Sequence, residues 1–220
     1  MAPDKLRPGG EAAVKLWKSR DTNDWEEVLN SYEECREFTQ RSLKNSQLKL
    51  SKNSFVEDDK WIEKNLPKLI ESDKMITLTQ LERLMTWKLR RGQFRPTLMG
   101  LIRRNSPSSV KEVTKEAICL VTESPKNVVE AFKILEGLQG VGPATASLIL
   151  SVILPRNVPF MSDEAMDASI GLPRSYTASR YEKFRKAMAA KAKELGNDWH
   201  VGLVEKALFT AAALKRQEMT

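Results

Sequence analysis

The sequence predicts an all-α fold of roughly ten helices, and three observations carry that expectation. Apolar residues recur at helical rather than alternating spacing along most of the 220 residues. Capping residues stand ahead of the apolar runs, as in Asp21-Thr22-Asn23, NSPSS and TESP. Breakers follow those runs, as with Gly92 and Gly196-Asn197.

Taken in order, helices are expected over 11–18 and over 25–43, the second entered through the Asp21-Thr22-Asn23 cap. LKNSQLKLSKNS, from Leu43 to Ser54, is polar and basic and reads as a linker or loop. Helices follow over 56–69, with Pro67 near its end, and over 79–91, stopped by Gly92. Pro96 suits the first turn of a helix over 95–104. NSPSS and TESP start helices over 108–121 and 127–138. After Gly-Val-Gly-Pro come 144–154, a short helix beginning Glu164-Ala165-Met166, then 178–195 and 200–215.

Composition narrows the partners. The chain is long enough for one sizeable domain or two small ones. Its longest apolar stretch, Leu148 to Leu154, is too short to cross a bilayer, so no membrane partner is expected. MAPDKLRPGGEAAVKLW lacks an apolar signal core, which predicts an intracellular protein, nuclear in a eukaryote. Cys35 and Cys119 supply neither a disulfide framework nor the thiolates of an iron–sulfur cluster, and read as buried thiols in a reducing compartment. His200 stands without acid or thiol companions, so no side-chain metal site is expected. The net charge of +7 favours an anionic partner, nucleic acid before membrane.

The excess is local. Arg83, Lys88, Arg90, Arg91, Arg95, Arg103 and Arg104 follow one another with a single acid, Glu82, beside them. Arg90, Arg91 and Arg95 surround Gly92, with Trp87 and Phe94 on either side. Arginine and lysine neutralise phosphates and aromatics stack on unpaired bases, making Trp87, Lys88, Arg90, Arg91, Gln93 and Arg95 candidate nucleic-acid contacts. The other reading leaves the arginines solvated and the aromatics in the core.

The most demanding segment is the turn Gln139-Gly140-Val141-Gly142. Val128, Ala131, Leu135 and Leu138 form one apolar stripe before it, and Ala146, Ile149, Leu150 and Ile153 form another after it. Gly140 permits positive φ in a sharp reversal. Gly142 admits close approach by another backbone, Pro143 suits the first helical position, and Val141 plugs the space between the helices. Free N–H groups are then expected near Gly142, Ala144 and Thr145, with the Thr145 hydroxyl as a further donor, at the positive end of a helix dipole. An ordinary αα-turn is the structural alternative.

LQGVGPATASLIL resembles the hairpin of the helix-hairpin-helix DNA glycosylase superfamily. The pattern Leu-x-Gly-Val/Ile-Gly-x-x-Thr-Ala is met by Leu138, Gly140, Val141, Gly142, Thr145 and Ala146, and the likeness runs over 128–164. It implies a glycosylase-like helical domain over 55–220, while the charged N-terminal third, 1–54, reads as a helical extension packed on that core. It also implies that the hairpin (Gln139, Gly140, Val141, Gly142, Ala144 and Thr145) holds a DNA phosphate, with a monovalent cation, K+ or Na+, on turn carbonyls. Within VPFMSDEA, Asp163 matches the family's catalytic aspartate, the anion that faces an oxocarbenium-like sugar and aims a water at it. Asp163 equally suits the cap of the short helix after it, and Glu164 stands beside it. Ala144 occupies the place of the lyase lysine, so the resemblance implies a monofunctional glycosylase acting through water. Such a protein binds duplex DNA as a monomer, flips a damaged or mispaired base and hydrolyses its N-glycosidic bond. The alternative is a catalytically silent DNA-binding module with the same hairpin. The family's Ser-x-Gln-Thr helix is replaced by LMTWKLRRGQFRP, in which Gln93 is the candidate to fill the gap a flipped base leaves.

Overall fold

A computed structural model describes residues 5–220. Among them stand fourteen α-helices and no strand. The first seven are α1 (Gly10–Lys18), α2 (Thr22–Asn30), α3 (Tyr32–Arg41), α4 (Asn45–Leu48), α5 (Phe55–Lys64), α6 (Leu66–Asp73) and α7 (Leu78–Arg91). The rest are α8 (Pro96–Ile102), α9 (Pro107–Glu123), α10 (Val128–Leu135), α11 (Pro143–Ile153), α12 (Asp163–Ile170), α13 (Ala178–Leu195) and α14 (Val201–Glu218).

The count exceeds the roughly ten expected because two long runs are broken and because a single turn, α4, forms where a loop was expected. The run over 25–43 divides at Ser31, and the Asp21 side chain caps α2 by accepting from the Asn23 N–H at 3.0 Å. The run over 56–69 divides at Asn65, because Pro67 sits in the first turn of α6 and has no N–H to continue α5. The basic 43–54 segment is loop apart from the single turn of α4. Elsewhere the cap signals act as expected. Thr77 with Gln80 and Ser54 with Glu57 form reciprocal capping boxes, and α13 spans its expected residues.

The chain divides into two compact units, one made of the described residues up to Phe38 with Pro155–Thr220, the other of Thr39–Leu154. The residue-54 boundary expected from sequence falls inside the second unit.

In the first unit α14 is the central post, and α1, α2, α12 and α13 all pack on it. Its Val204, Ala207, Leu208, Phe209, Ala211, Ala212 and Ala213 are buried, and the small side chains let neighbouring backbones come close. Tyr32 and Cys35 of α3 join Phe209 and Ala213 in one cluster. Trp25 is fully buried between Trp17 and Trp199, and Lys191 lies over both Trp17 and Trp25. His200 caps α14, its Nδ1 lying 3.0 Å from the Pro155 carbonyl oxygen.

In the second unit α7 carries the core, presenting Leu81, Leu84, Met85, Trp87 and Leu89 to α5, α8, α9 and α11. Each such side chain contributes about 1.5–3 kcal/mol by leaving water. Thr114 of α9 is buried and accepts from the Ile76 N–H at 2.9 Å, tying the entry of α7 to α9. Cys119 is half-buried rather than buried, while Cys35 is buried.

Candidate nucleic-acid interface

The hairpin joins α10 to α11. Val128, Ala131, Leu135 and Leu138 are buried on one side, with Ala146, Ile149 and Leu150 on the other, and Val141 fills the space at the turn. The two glycines have different reasons to be there. Gly140 has φ +78°, and a Cβ on it would lie 3.0 Å from Leu101 Cβ and 3.2 Å from both the Ile102 nitrogen and the Leu98 oxygen. The fold itself therefore requires glycine at 140.

Gly142 is the opposite case. Its backbone is extended, φ −112° and ψ −174°, a conformation any residue adopts, and a Cβ there would meet nothing within 4 Å among the described residues. It is the N-cap of α11, where Ser or Asp would stabilise the helix better than glycine. Neither backbone strain nor packing among the described residues calls for glycine at 142.

The helix start is correspondingly open. Pro143 has no N–H, and the N–H groups of Gly142 and Ala144 have no acceptor among the described residues. The third expected donor is not available: the Thr145 N–H bonds to the Gly142 oxygen at 2.9 Å. Thr145 is also only 2 % exposed, because its side chain points into the packed face of α11, so its hydroxyl is no outward donor. Of the turn carbonyls, Gln139 accepts from Asn105 and Leu138 from Val141, whereas those of Gly140 and Val141 accept nothing among the described residues.

Asn105, which the sequence offered only as part of a helix-start signal, holds this turn. Its Oδ1 accepts from the Gln139 N–H at 2.8 Å, and its Nδ2 donates to the Gln139 oxygen at 3.0 Å and to the Ile102 oxygen at 2.9 Å. A side-chain amide paired in this way imitates a strand neighbour and fixes the turn against the end of α8. Exposed Arg103 and Arg104 immediately precede it. Arg103 reaches Glu82 at 3.2 Å, while the Arg104 side chain has no partner among the described residues.

The aromatic–arginine patch is largely taken inward. Trp87 is 3 % exposed, stacks on Phe55 at 6.2 Å and donates to Asp59 at 2.7 Å, so it is core and offers no face to a base. Arg90 is 3 % exposed; its guanidinium donates to the oxygens of Gln47, Leu48, Ser51 and Asn53 and meets Asp58 at 3.2 Å. It cannot reach a phosphate. Arg91 lies over Trp87 at 4.9 Å, and Lys88 is half-buried. Gln93 and Arg95 remain at the exposed junction between α7 and α8. Helical periodicity alone could not separate inward from outward arginines, because the stripe of α7 includes position 90.

Asp163 belongs to the first unit, where it is the first residue of α12. Ser162 is the cap, without a side-chain bond to the helix, so Asp163 is not the capping group. Instead its carboxylate takes Arg7 Nε at 2.6 Å and the Tyr176 hydroxyl. Its neighbours are also paired, Glu164 with Arg216 at 3.0 Å and Asp167, one turn on, with Arg174 at 2.5 Å. Burial pushes the Asp167 carboxyl above the usual range; Arg174 opposes this, and Asp163 and Glu164 add to it. Asp163 keeps 13 % of its side chain exposed, against 7 % for Glu164 and none for Asp167. Arg7 lies 156 residues from Asp163, too far for any local motif to have announced it, and no motif singled out Arg174 or Tyr176. Among the described residues no group of three or more His, Cys, Asp or Glu is placed to hold a metal, and no helix is long and apolar enough to cross a membrane.

Comparison with known proteins finds no matching family model, no matching curated protein and no matching solved structure.

Proposed function

We propose that this chain binds DNA through the 139–145 hairpin, with a backbone phosphate received by the N–H groups of Gly142 and Ala144. The observation that carries this is Gly142, a glycine that neither its own φ nor its neighbours require, set at the mouth of a helix whose first amides are open. Such a position favours close approach by something outside the chain, and the helix dipole favours an anion there. Arg104 and Arg103 beside the turn add charge that orients a phosphate backbone. The resemblance to helix-hairpin-helix glycosylases supplies duplex DNA as the polymer. The carbonyls of Gly140 and Val141 would provide part of the shell of a K+ or Na+ ion shared with that phosphate. The test is fluorescence anisotropy with labelled duplex. Binding should weaken linearly with salt on logarithmic axes, and no binding at low salt would end the reading.

A second reading adds base hydrolysis at Asp163, favoured by its being the most open of the three carboxylates at the start of α12. In it the carboxylate, oriented by Arg7 and Tyr176, stabilises a cationic sugar and directs water to it. Incubation with duplexes carrying a panel of damaged and mispaired bases, followed by alkaline cleavage, decides this. Product with wild type and none with Asp163→Asn supports hydrolysis; no product from any duplex leaves the hairpin as a binding device alone.

A further inference from the structure

We propose that the loop over 44–53 is a second, preformed contact surface for the DNA backbone, a basic platform held rigid from beneath by Arg90. It rests on the reading that the hairpin binds DNA, and it belongs to the same unit.

The loop folds its carbonyls inward. Arg90 Nε donates to Gln47 at 3.1 Å, Nη1 to Asn53 at 2.8 Å, and Nη2 to Leu48 at 3.2 Å and Ser51 at 3.1 Å. Gln47 Nε2 returns a bond to the Leu89 oxygen at 3.1 Å. Asp58, fully buried, balances the guanidinium and is shared with Arg83 at 2.7 Å. A planar fork of donors suits this task and a lysine does not. One buried charge thus fixes a loop that has only one helical turn of its own.

With its carbonyls facing inward, the loop turns its cations outward. Arg41, Lys44, Lys49 and Lys52 are exposed, and none has an ion-pair partner among the described residues. No acid occurs between Phe38 and Val56. The N–H groups of Ser51 and Lys52 also have no acceptor among the described residues. Cationic side chains together with open amides are the two donor types that receive backbone phosphates. An ordered platform also loses less conformational freedom on binding than a flexible lysine tail. A membrane surface is the poorer fit, because Leu48 is the one exposed large apolar side chain of the loop. DNA is the better one, because α7, which holds the loop, also packs on α8 and α11, the helices that frame the hairpin.

The experiment compares the full chain with Lys44→Gln/Lys49→Gln/Lys52→Gln on duplexes of about one and about three helical turns. The three lysines are exposed and unpaired, so circular dichroism should show an unchanged fold. On the long duplex the triple variant should bind about ten- to a hundredfold more weakly, with a salt slope smaller by about 2–3. Hydrogen exchange should show Ser51 and Lys52 amides gaining protection when DNA is bound. Wild-type affinity and slope in the triple variant, with Gly142→Asp still defective, would overturn the platform and leave the hairpin standing. No binding by the wild type overturns both. A loss confined to anionic phospholipid vesicles, with DNA binding intact, assigns the loop to a membrane surface and also overturns the proposal.

Discussion

Substituting Gly142 by Asp separates the fold from the interaction. The position has an extended backbone, and no described residue stands within 4 Å of where a Cβ would be, so the side chain enters without strain. As the N-cap of α11 its carboxylate would then accept from the Ala144 N–H that is now free and stand beside the Gly142 N–H. Replacing a glycine cap by aspartate adds a few tenths of a kcal/mol, and the negative charge at the dipole adds about 0.3–1 kcal/mol. The variant should therefore melt at or above the wild-type temperature. DNA binding should move the other way. The phosphate loses its charge-assisted amide bonds, worth about 1.5–3 kcal/mol each, and meets a carboxylate instead. A net loss of about 2–4 kcal/mol corresponds to about 30- to 700-fold in Kd. Gly140→Ala is the companion. At φ +78° with Leu101 Cβ at 3.0 Å, it costs at least about 1–2 kcal/mol and should lower the melting temperature. Thermal melting followed by circular dichroism, with anisotropy on one duplex across a salt series, reads both effects. Wild-type affinity in Gly142→Asp, or a melting temperature below that of Gly140→Ala, would refute the reasoning.

Other outcomes follow from the same contacts. Arg90→Met leaves Asp58 with Arg83 as its remaining arginine, strips the Leu48, Ser51 and Asn53 carbonyls of their donor and leaves Gln47 only its backbone partner, so urea unfolding of the second unit should lose about 3–5 kcal/mol. Unchanged unfolding would show that the buried fork contributes little. Asn105→Ala removes both bonds to Gln139, and DNA affinity should fall while helix content stays; equal affinity would mean that the turn holds its shape unaided. Burial, with Arg156 nearby, pushes the His200 imidazole below its ordinary 6.5. The unfolded chain then takes up this proton before the folded one does. Stability is full above pH 6.5 and drains as pH falls through that value toward the lower folded one. His200→Gln should flatten that part of the stability–pH curve, and an unaltered curve would assign the dependence to other groups.

Local signals and tertiary outcomes part company at identifiable residues. The hairpin was legible because glycine φ preference, proline at a first helical turn and apolar spacing act within a few residues of each other. Burial of Val141 and of the flanking stripes followed from the same information, save for Ile153, which is half-buried. The Gly-x-Gly motif, however, presents two equal glycines, and only packing against α8 shows that one serves the fold and the other leaves an opening. Trp87 and Arg90 had the composition of a nucleic-acid patch, yet both point inward, since Asp58, Asp59 and the 47–53 carbonyls were there to receive them.

The chain by itself determined its helical class, most helix starts and stops, the absence of acid along 38–56 and the turn between α10 and α11. These depend on backbone preferences and periodicities with a range of one or two turns. Only tertiary structure decided that Asp163 would be held by Arg7, 156 residues away, that α14 would collect the N-terminal helices, and which arginines would stay in water. Those outcomes depend on burial and charge pairing between distant segments, which fix partners by what meets in the folded core rather than by what stands nearby in sequence.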